Sequence, residues 1–271
     1  MSVFAAHSFL TGLAVTGTAT LVVFVGSWLI GWRLRRFNVV DITWGISFTL
    51  TAATAYGWST GHHLGDAHRI LLLAMTAVWG LRLAGYIGWR SRGKGEDPRY
   101  AAMLERAGGS PARYALTRIF LVQAVIAWFV SLPVQVAMAA SAPALAWLVV
   151  GAGVWAVGVI FEAVGDAQLA AFRRDPANRR QVMDRGLWRY TRHPNYFGDA
   201  MVWAGLWLLA AGHWVGVVTI GSPLLMTWFL IAKTGKPLLE RSLTASKPGY
   251  ADYVARTSGF LPLPPRRASG R

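Results

Sequence analysis

The chain has 271 residues, of which 54% are hydrophobic and only 14% are charged. Since a typical soluble chain is about 25% charged, this composition excludes an ordinary soluble globular protein. A net charge of +15 often indicates nucleic-acid binding, but long apolar runs separate the basic clusters here, and no nucleic-acid partner is expected. The absence of cysteine excludes disulfides, thiolate nucleophiles and cysteine-based metal sites, and no metal site is predicted.

Apolar runs long enough to cross a bilayer recur along the chain. They occupy, in chain order, residues 9–31, 39–58, 68–90, 114–138, 143–172 and 196–232. The last run is too long for one crossing, and the polar break Gly212-His213-Trp214 divides it into two antiparallel helices. The pattern therefore predicts an all-α integral membrane protein with seven transmembrane helices in a single domain, residues 1–271.

Basic residues occur on alternate connections between the predicted helices. They crowd the connections 33–36, 90–113 and 173–192 and the segment after residue 232, whereas 59–68, 139–142 and 211–214 contain none. Because basic connections stay in the cytoplasm, the N-terminus is predicted outside and the C-terminus in the cytoplasm. The compact chain, which has no endoplasmic-reticulum retrieval signal, fits a bacterial inner membrane.

Acidic side chains within membrane helices are costly and therefore tend to mark function. Asp41 opens the second predicted helix and Asp199 begins the sixth. Glu162 and Asp166 lie one turn apart in the fifth helix and share a face. For each of them, the alternative is a structural role at a helix end or in an internal ion pair.

The segment 172–195 carries seven arginines. Arginine suits phosphate oxygens, although contact with anionic lipid headgroups and simple orientation are alternative roles. Aromatic and polar residues alternate with the arginines in Gly186-Leu-Trp-Arg-Tyr-Thr-Arg-His-Pro-Asn-Tyr-Phe-Gly-Asp199. Attraction to lipid does not need that combination, whereas binding of a flat phosphorylated cofactor does.

This segment, Gly186 to Asp199, resembles the signature of the steroid 5α-reductase C-terminal domain and its bacterial relatives. Further matches cover residues 38–260 and comprise Asp41-Ile-Thr-Trp44-Gly45, Trp79-Gly-Leu-Arg82, Gly93-Lys-Gly-Glu-Asp-Pro-Arg-Tyr100, Glu162-Ala-Val-Gly-Asp166-Ala-Gln168 and Phe172-Arg-Arg. The Arg-His-Pro-x-Tyr core alone is less specific, because isoprenylcysteine and phospholipid methyltransferases carry a similar one.

The resemblance implies a seven-helix membrane oxidoreductase that uses NADPH and transfers hydride to the carbon–carbon double bond of an enone lipid. The substrate it favours is a 3-oxo-4-ene steroid dissolved in the membrane, which would undergo 5α-reduction. The nucleotide would enter from the basic cytoplasmic face. Residues 1–113 would serve the substrate and residues 114–271 the cofactor, and a monomer is expected.

Roles implied by the resemblance fall on residues that match its motifs. Asn195 and Asp199 correspond to positions that hold the nicotinamide end of the cofactor, and Glu162 and Asp166 to a cofactor-binding face of the fifth helix. The candidates for the pyrophosphate and the 2′-phosphate are Arg173, Arg174, Arg179 and Arg192. The rings that would frame the pocket are Tyr190, His193 and Tyr196. The C-terminal residues that would close over the adenosine are Glu240, Tyr250, Tyr253 and Arg256.

The catalytic positions depart from the mammalian pattern, in which a Gln-Glu pair on the second helix and a tyrosine on the third polarise the ketone. Val40-Asp41 and Trp79 stand at the closest positions. Asp41 is therefore the candidate for the acidic role, and Tyr86, two turns beyond Trp79, is the candidate tyrosine. This departure leaves room for a substrate other than a testosterone-like steroid.

The main alternative is an S-adenosylmethionine-dependent methyltransferase of the isoprenylcysteine type, which shares Arg192-His193-Pro194-x-Tyr196-x-Gly198. Such enzymes usually carry paired glutamates after the last helix, whereas only Glu240 is present here, and the Glu162-x-x-x-Asp166-x-Gln168 pattern favours the reductase. A noncatalytic scaffold or a transporter is a further alternative. It predicts polar residues spread through the spans rather than gathered at their cytoplasmic ends.

Overall fold

A computed structural model describes residues 6–60, 67–233 and 235–266, and helices dominate this part of the chain, which contains no β-strand. The middle of the predicted outer connection 59–68 and the last five residues of the tail lie outside the described residues. The first half contains α1 (Ala6–Leu34), α2 (Val39–Thr60), α3 (Ala67–Ser91), α4 (Pro98–Glu105), α5 (Pro111–Tyr114), a π-helix (Ala115–Phe120), α6 (Leu121–Val130) and α7 (Leu132–Ala139).

The second half begins with the longest helix of the described chain, α8 (Leu145–Arg174). The connection that follows contains two short 3₁₀ turns, Pro176–Asn178 and Gly186–Arg189. The remaining helices are α9 (Pro194–Ala211), α10 (Trp214–Val218), α11 (Gly221–Trp228), a π-helix (Phe229–Lys233), α12 (Lys236–Ser246) and α13 (Tyr250–Arg256).

Two of the predicted apolar runs are less regular than expected. The run 114–138 is interrupted at Ser131, because Pro133 has no amide hydrogen to bond back into the preceding turn. The run 196–232 turns after Ala211, as predicted, but its second half turns again between α10 and α11. It then widens into the π-helix before α12.

Five helical stretches among the described residues are long and apolar enough to cross a membrane: Phe9–Leu34, Ala67–Ser91, Pro111–Val130, Leu145–Arg174 and Trp214–Ser246. The protein is therefore a membrane-embedded helical protein. The helices α2 and α9 are not among these five stretches. Serine and threonine side chains make α2 less apolar, and Asn195 and Asp199 do the same for α9.

The chain forms two compact units. Unit 1 comprises Met1–Leu145 and Leu209–Thr219, and unit 2 comprises Ala146–Leu208 and Ile220–Arg271. The single domain, with its division near residue 113, stays a prediction.

Polar side chains hold the helices of unit 1 together from the inside. The Thr16 hydroxyl donates to the Gln135 side-chain oxygen at 2.6 Å, and the Gln135 amide donates to the Ser131 hydroxyl at 2.8 Å. The Thr20 and Thr51 hydroxyls bond each other at 3.0 Å and join α1 to α2. Such interhelical hydrogen bonds replace the hydrophobic driving force that a bilayer does not supply.

Glycines bring α8 and α9 of unit 2 into backbone contact. A Cβ added at Gly198 would stand 2.6 Å from the Gly158 carbonyl oxygen and 2.7 Å from the Glu162 nitrogen. One heptad further along α9, a Cβ at Gly205 would stand 2.6 Å from the Gly151 carbonyl oxygen. Small residues at the contact allow membrane helices to approach this closely, and here they fix Glu162 beside the first turns of α9.

Candidate functional site

A buried histidine, an arginine and a glutamate form the centre of the candidate site in unit 2. Arg192 Nε donates to Glu240 Oε1 at 2.8 Å, and His193 Nε2 lies 3.0 Å from the same oxygen. The Tyr196 ring stacks on the His193 ring with centroids 5.0 Å apart and planes 4° from parallel. The structure thus brings four predicted cofactor residues together, although Glu240 follows His193 by 47 positions.

The protonation state of His193 follows from its partners. Burial, the largest influence, and the nearby charge of Arg192 lower its pKa below the usual value, although Glu240 opposes them, so the imidazole is neutral at pH 7. A carboxylate that already accepts from Arg192 has no hydrogen to give, so His193 Nε2 carries the hydrogen and donates it. His193 Nδ1 then bears a lone pair, and this buried atom has no hydrogen-bond partner within the described residues.

Three predicted acidic residues are buried where α8 crosses α9. Glu162, Asp166 and Asp199 are each less than 8% exposed. Gly165, between the first two, has little room for a side chain, because its Cβ would stand 3.0 Å from the Pro194 ring. Asn195 stands at the start of α9, and its side-chain oxygen accepts a hydrogen bond from the Tyr196 amide at 3.1 Å. The three carboxylates are therefore buried in unit 2, where α8 packs against the beginning of α9.

Arg192 and Tyr253 attach the C-terminal helices to the connection between α8 and α9. Arg192 Nη1 donates to the carbonyl oxygens of Val254, at 3.1 Å, and Thr257. The Tyr253 hydroxyl donates to the Trp188 carbonyl oxygen, and burial raises its pKa. Burial also raises the pKa of Tyr250 to about 12. Arg192 and Tyr253 therefore have a structural role, in addition to the cofactor role predicted for them.

The predicted phosphate-binding arginines other than Arg192 are at the surface of unit 2. Arg173, Arg174 and Arg179 are exposed, and Arg256 forms an ion pair with Asp184 at 2.5 Å. Partial burial and then the charge of Arg173 lower the pKa of Lys247, whose ammonium lies 5.8 Å from the Phe172 ring centroid. Tyr190 is exposed, and its carbonyl oxygen accepts from the Leu263 amide at 3.0 Å. Positive charge is therefore concentrated on this surface.

The two catalytic candidates lie in unit 1 and have different partners. Asp41 accepts hydrogen bonds from the Tyr100 hydroxyl at 2.5 Å and from Arg99 Nη2 at 3.0 Å. Tyr86 contacts the Trp89 ring, with centroids 5.9 Å apart, and the Arg90 guanidinium, 5.6 Å from its ring centre. The carboxylate predicted from the sequence thus has a tyrosine partner, but that partner is Tyr100.

Tyr100 is the partner of Asp41 that sequence reasoning missed. It lies in α4, whose first turn is capped by the Asp97 carboxylate at the Arg99 amide, 2.9 Å away. Burial is the main cause that raises the pKa of its hydroxyl well above the usual value, so it remains a hydrogen-bond donor. The Asp-Pro-Arg-Tyr sequence predicts a helix start, but only the fold shows that α4 returns to Asp41, 59 residues earlier.

Glu96 holds the same region together. Its carboxylate accepts from the backbone amides of Phe37, at 2.5 Å, and Asn38, at 2.9 Å, at the start of α2. A carboxylate at a helix N-terminus also complements the helix dipole. The connection after α3 is thereby attached to the connection before α2, and Asp41 is held one turn away.

Fold and site together define a helical membrane protein with a buried polar centre beneath a basic surface. A family described as "Protein of unknown function (DUF1295)" matches residues 27–257, which is most of the chain. The chain belongs to this family, which is associated with steroid 5α-reductase-like membrane proteins. Comparisons with curated proteins and with solved structures found no match.

Proposed function

We propose that the protein is an NADPH-dependent membrane reductase that acts on the carbon–carbon double bond of an enone lipid, with a 3-oxo-4-ene steroid as the first substrate to test. One observation carries the proposal. His193, neutral and fixed by Glu240, leaves an open acceptor atom in a buried polar centre of unit 2, the unit that also contains the buried carboxylates of α8 and α9.

The residues of unit 2 fit a nicotinamide nucleotide. A buried acceptor such as His193 Nδ1 requires a donor, and the carboxamide of nicotinamide carries N–H donors. Glu162, Asp166 and Asp199 offer oxygens for ribose hydroxyls, and Asn195 offers an amide for the carboxamide. The aromatic face of Tyr196, already stacked on His193, offers a surface for a flat ring.

The arginines favour a phosphorylated nucleotide over S-adenosylmethionine. NADPH carries a pyrophosphate and a 2′-phosphate, whereas S-adenosylmethionine carries a positive sulfonium and no phosphate. Arg173, Arg174 and Arg179 are exposed, so they are accessible to phosphate oxygens, for which the guanidinium fork is well suited. A surface this rich in positive charge would instead repel a cationic cofactor.

Bound NADPH would supply a hydride for the β-carbon of the enone. The chain itself would orient the groups that contact the cofactor and would keep water away from them. The Glu240 contact fixes the tautomer and the plane of His193, and the tight crossing of α8 and α9 limits access of water to Glu162 and Asp199. Asp41, with Tyr100 as its hydrogen-bonded hydroxyl, is the pair we assign to the substrate carbonyl, and Tyr86 remains the competing candidate.

The proposal includes the seven-span topology with the N-terminus outside. α2 has 22 residues, which corresponds to a length of about 33 Å, enough for the hydrocarbon core. Its polar Thr43, Ser47 and Thr51 are buried in unit 1, whereas Ile46 and Leu50 are exposed. A helix that hides its polar groups and exposes apolar ones is suited to lipid. The basic connection 173–192 then faces the cytoplasm, where NADPH is found.

Binding measurements on the purified protein test the cofactor. We expect tighter binding of NADPH than of NADH, and about ten- to hundredfold weaker NADPH binding in Asn195→Ala and in Asp199→Ala, since each removes a polar contact proposed for the cofactor. Asn38→Ala removes a side-chain amide of unit 1 whose hydrogen bond to the Gly95 carbonyl oxygen is exposed, so it serves as the control and should bind normally. Tight binding of S-adenosylmethionine without binding of NADPH would replace the reductase by the methyltransferase.

A further inference from the structure

A second basic site lies in unit 2, in the connection between α8 and α9 and the segment after α13. It is a cavity of about 450 Å³ whose lining includes Asp184, Arg185, Arg189, Arg256 and Pro265. None of the roles assigned above uses Arg185 or Arg189, and their guanidinium groups have no hydrogen-bond or ion-pair partner within the described residues.

The backbone that presents these two arginines is rigidly held. The Leu187 amide donates to the Gln168 side-chain oxygen at 3.0 Å, and Trp188 Nε1 donates to the Gly165 carbonyl oxygen at 3.0 Å. Gly186 has a φ of +57°, and a side chain there would collide with Gln168. Arg185 and Arg189 therefore flank a turn that is fixed to α8, which lowers the entropic cost of binding a ligand between them.

The charges in the cavity do not cancel. Asp184 is neutralised by its ion pair with Arg256, at 2.5 Å, which leaves the charges of Arg185 and Arg189 uncompensated. Two guanidinium groups at one cavity form a site for an oxyanion, and the planar fork of arginine matches phosphate geometry.

Apolar side chains next to the cavity indicate where the phosphate comes from. The C-terminal strap, residues 257–266, is attached to the connection by the Leu263 amide, which donates to the Tyr190 carbonyl oxygen at 3.0 Å. Leu261 and Leu263 on this strap are 55% and 52% exposed. The connection also follows the apolar span Leu145–Arg174 directly, so it lies at a membrane face.

We propose that Arg185 and Arg189 bind the phosphate of an anionic phospholipid headgroup, while Leu261 and Leu263 of the C-terminal strap insert among its acyl chains. Basic and apolar side chains on one surface are the combination that holds a segment to an anionic bilayer. The bound lipid would fasten the strap, and with it the connection that carries His193, to the membrane surface. This inference does not depend on the reductase activity.

Native mass spectrometry of the intact protein tests the site, with phosphatidylglycerol and phosphatidylcholine added in equal amounts to the detergent. We expect one retained phosphatidylglycerol on the natural protein and about tenfold less on Arg185→Gln/Arg189→Gln. The double variant Arg92→Gln/Arg106→Gln removes equal exposed charge from unit 1 and should retain the lipid. If the first double variant does not fold, each single substitution should still show a partial loss.

Several results would overturn the inference. One is equal retention of phosphatidylglycerol by the natural protein and by Arg185→Gln/Arg189→Gln. Another is an equal loss of phosphatidylglycerol in the control variant Arg92→Gln/Arg106→Gln. Retention of phosphatidylcholine to the same extent would indicate ordinary boundary lipid. Displacement of the lipid by inorganic phosphate alone would assign the cavity to a free anion, and displacement by NADPH would assign it to the nucleotide.

Discussion

Asp41 and Tyr100 form a direct carboxylate–hydroxyl hydrogen bond in unit 1, and its loss should be measurable. In Tyr100→Phe the carboxylate keeps only the half-exposed Arg99 as a partner. A hydrogen bond to a charged group contributes about 1.5–3 kcal/mol, so we expect a clear fall in the apparent Tm measured in detergent. Tyr114→Phe serves as the control, because its hydroxyl has no partner within the described residues, and an equal fall there would contradict the assignment.

Comparison of Tyr100→Phe with Tyr86→Phe shows which tyrosine polarises the substrate carbonyl. If Tyr100 polarises the substrate carbonyl, Tyr100→Phe should lower the reductase kcat strongly, while Tyr86→Phe should leave it nearly unchanged. The reverse pattern would return the role to Tyr86, as the sequence first indicated. The reason for this expectation is that Tyr100, unlike Tyr86, has its hydroxyl held by Asp41.

The lowered pKa of His193 predicts how the folding stability of the protein depends on pH. Its pKa is lowered in the folded protein, so the unfolded chain takes up the proton first as the pH falls. The contribution of His193 to stability is therefore complete above about pH 6.5 and is lost as the pH falls through the folded pKa. The charged groups that face it are Glu240, Arg192 and Lys236.

The measurement is the apparent Tm of the natural protein and of His193→Gln between about pH 7.5 and pH 5.5. The glutamine can still donate to Glu240 but cannot titrate. We expect the apparent Tm of the natural protein to fall more steeply on acidification than that of the variant. Parallel curves would show that another group is responsible.

At the scale of helices, the crossing of α8 and α9 depends on Gly198. Gly198→Ala places a methyl group 2.6 Å from the Gly158 carbonyl oxygen, and helix backbones cannot yield as a flexible side chain does. We expect a loss of about 1–3 kcal/mol in stability, together with weaker NADPH binding, because Glu162 and Asp199 lie at this contact. The readouts are the apparent Tm and the NADPH Kd.

Gly153→Ala is the matched control for this crossing. Gly153 lies in α8, the other helix of the crossing, with open space where its Cβ would be. Alanine is favoured over glycine in a helix by about 0.5–1 kcal/mol, so this variant should be as stable as the natural protein or more stable. Equal destabilisation of both variants would show that the close contact is not what matters.

Helices were the part of the fold most accessible from sequence, because hydropathy is a local property. The runs 68–90 and 143–172 correspond closely to α3 and α8, and the turn after Ala211 was also foreseen. The interruption at Ser131 was not predicted, although its cause, Pro133, is local. The two π-helices could not be predicted, since they depend on how backbone hydrogen bonds adjust to neighbouring helices.

The candidate site was predictable in composition but not in arrangement. The signature around His193 indicates the segment that forms the buried polar centre of unit 2, and Glu162 and Asp166 are both buried. The pairings of Asp41 with Tyr100 and of His193 with Glu240 span 59 and 47 residues, and nothing local in the chain specifies them. Arg192 was expected to bind phosphate, and only the fold shows that it also attaches the C-terminal helices.

At the scale of the whole molecule, the predicted topology can be tested directly, since the natural chain contains no cysteine. Gly109→Cys lies in a basic connection and Ser141→Cys in a connection without lysine or arginine, and both positions are exposed. In intact bacterial cells, a membrane-impermeant maleimide should label Ser141→Cys and should reach Gly109→Cys only after lysis. Labelling of Gly109→Cys alone in intact cells would reverse the orientation.

Transfer of hydride from NADPH to an enone lipid is the central claim, and mass spectrometry of the product tests it most directly. The natural protein in detergent is incubated with a 3-oxo-4-ene steroid and with NADPH that carries deuterium at both positions of the nicotinamide C4. We predict a reduced product with one deuterium at the β-carbon. In Asp199→Ala, the product should form at least about ten times more slowly than in the natural protein. A reduced product without deuterium, or with deuterium at another carbon, would contradict the account.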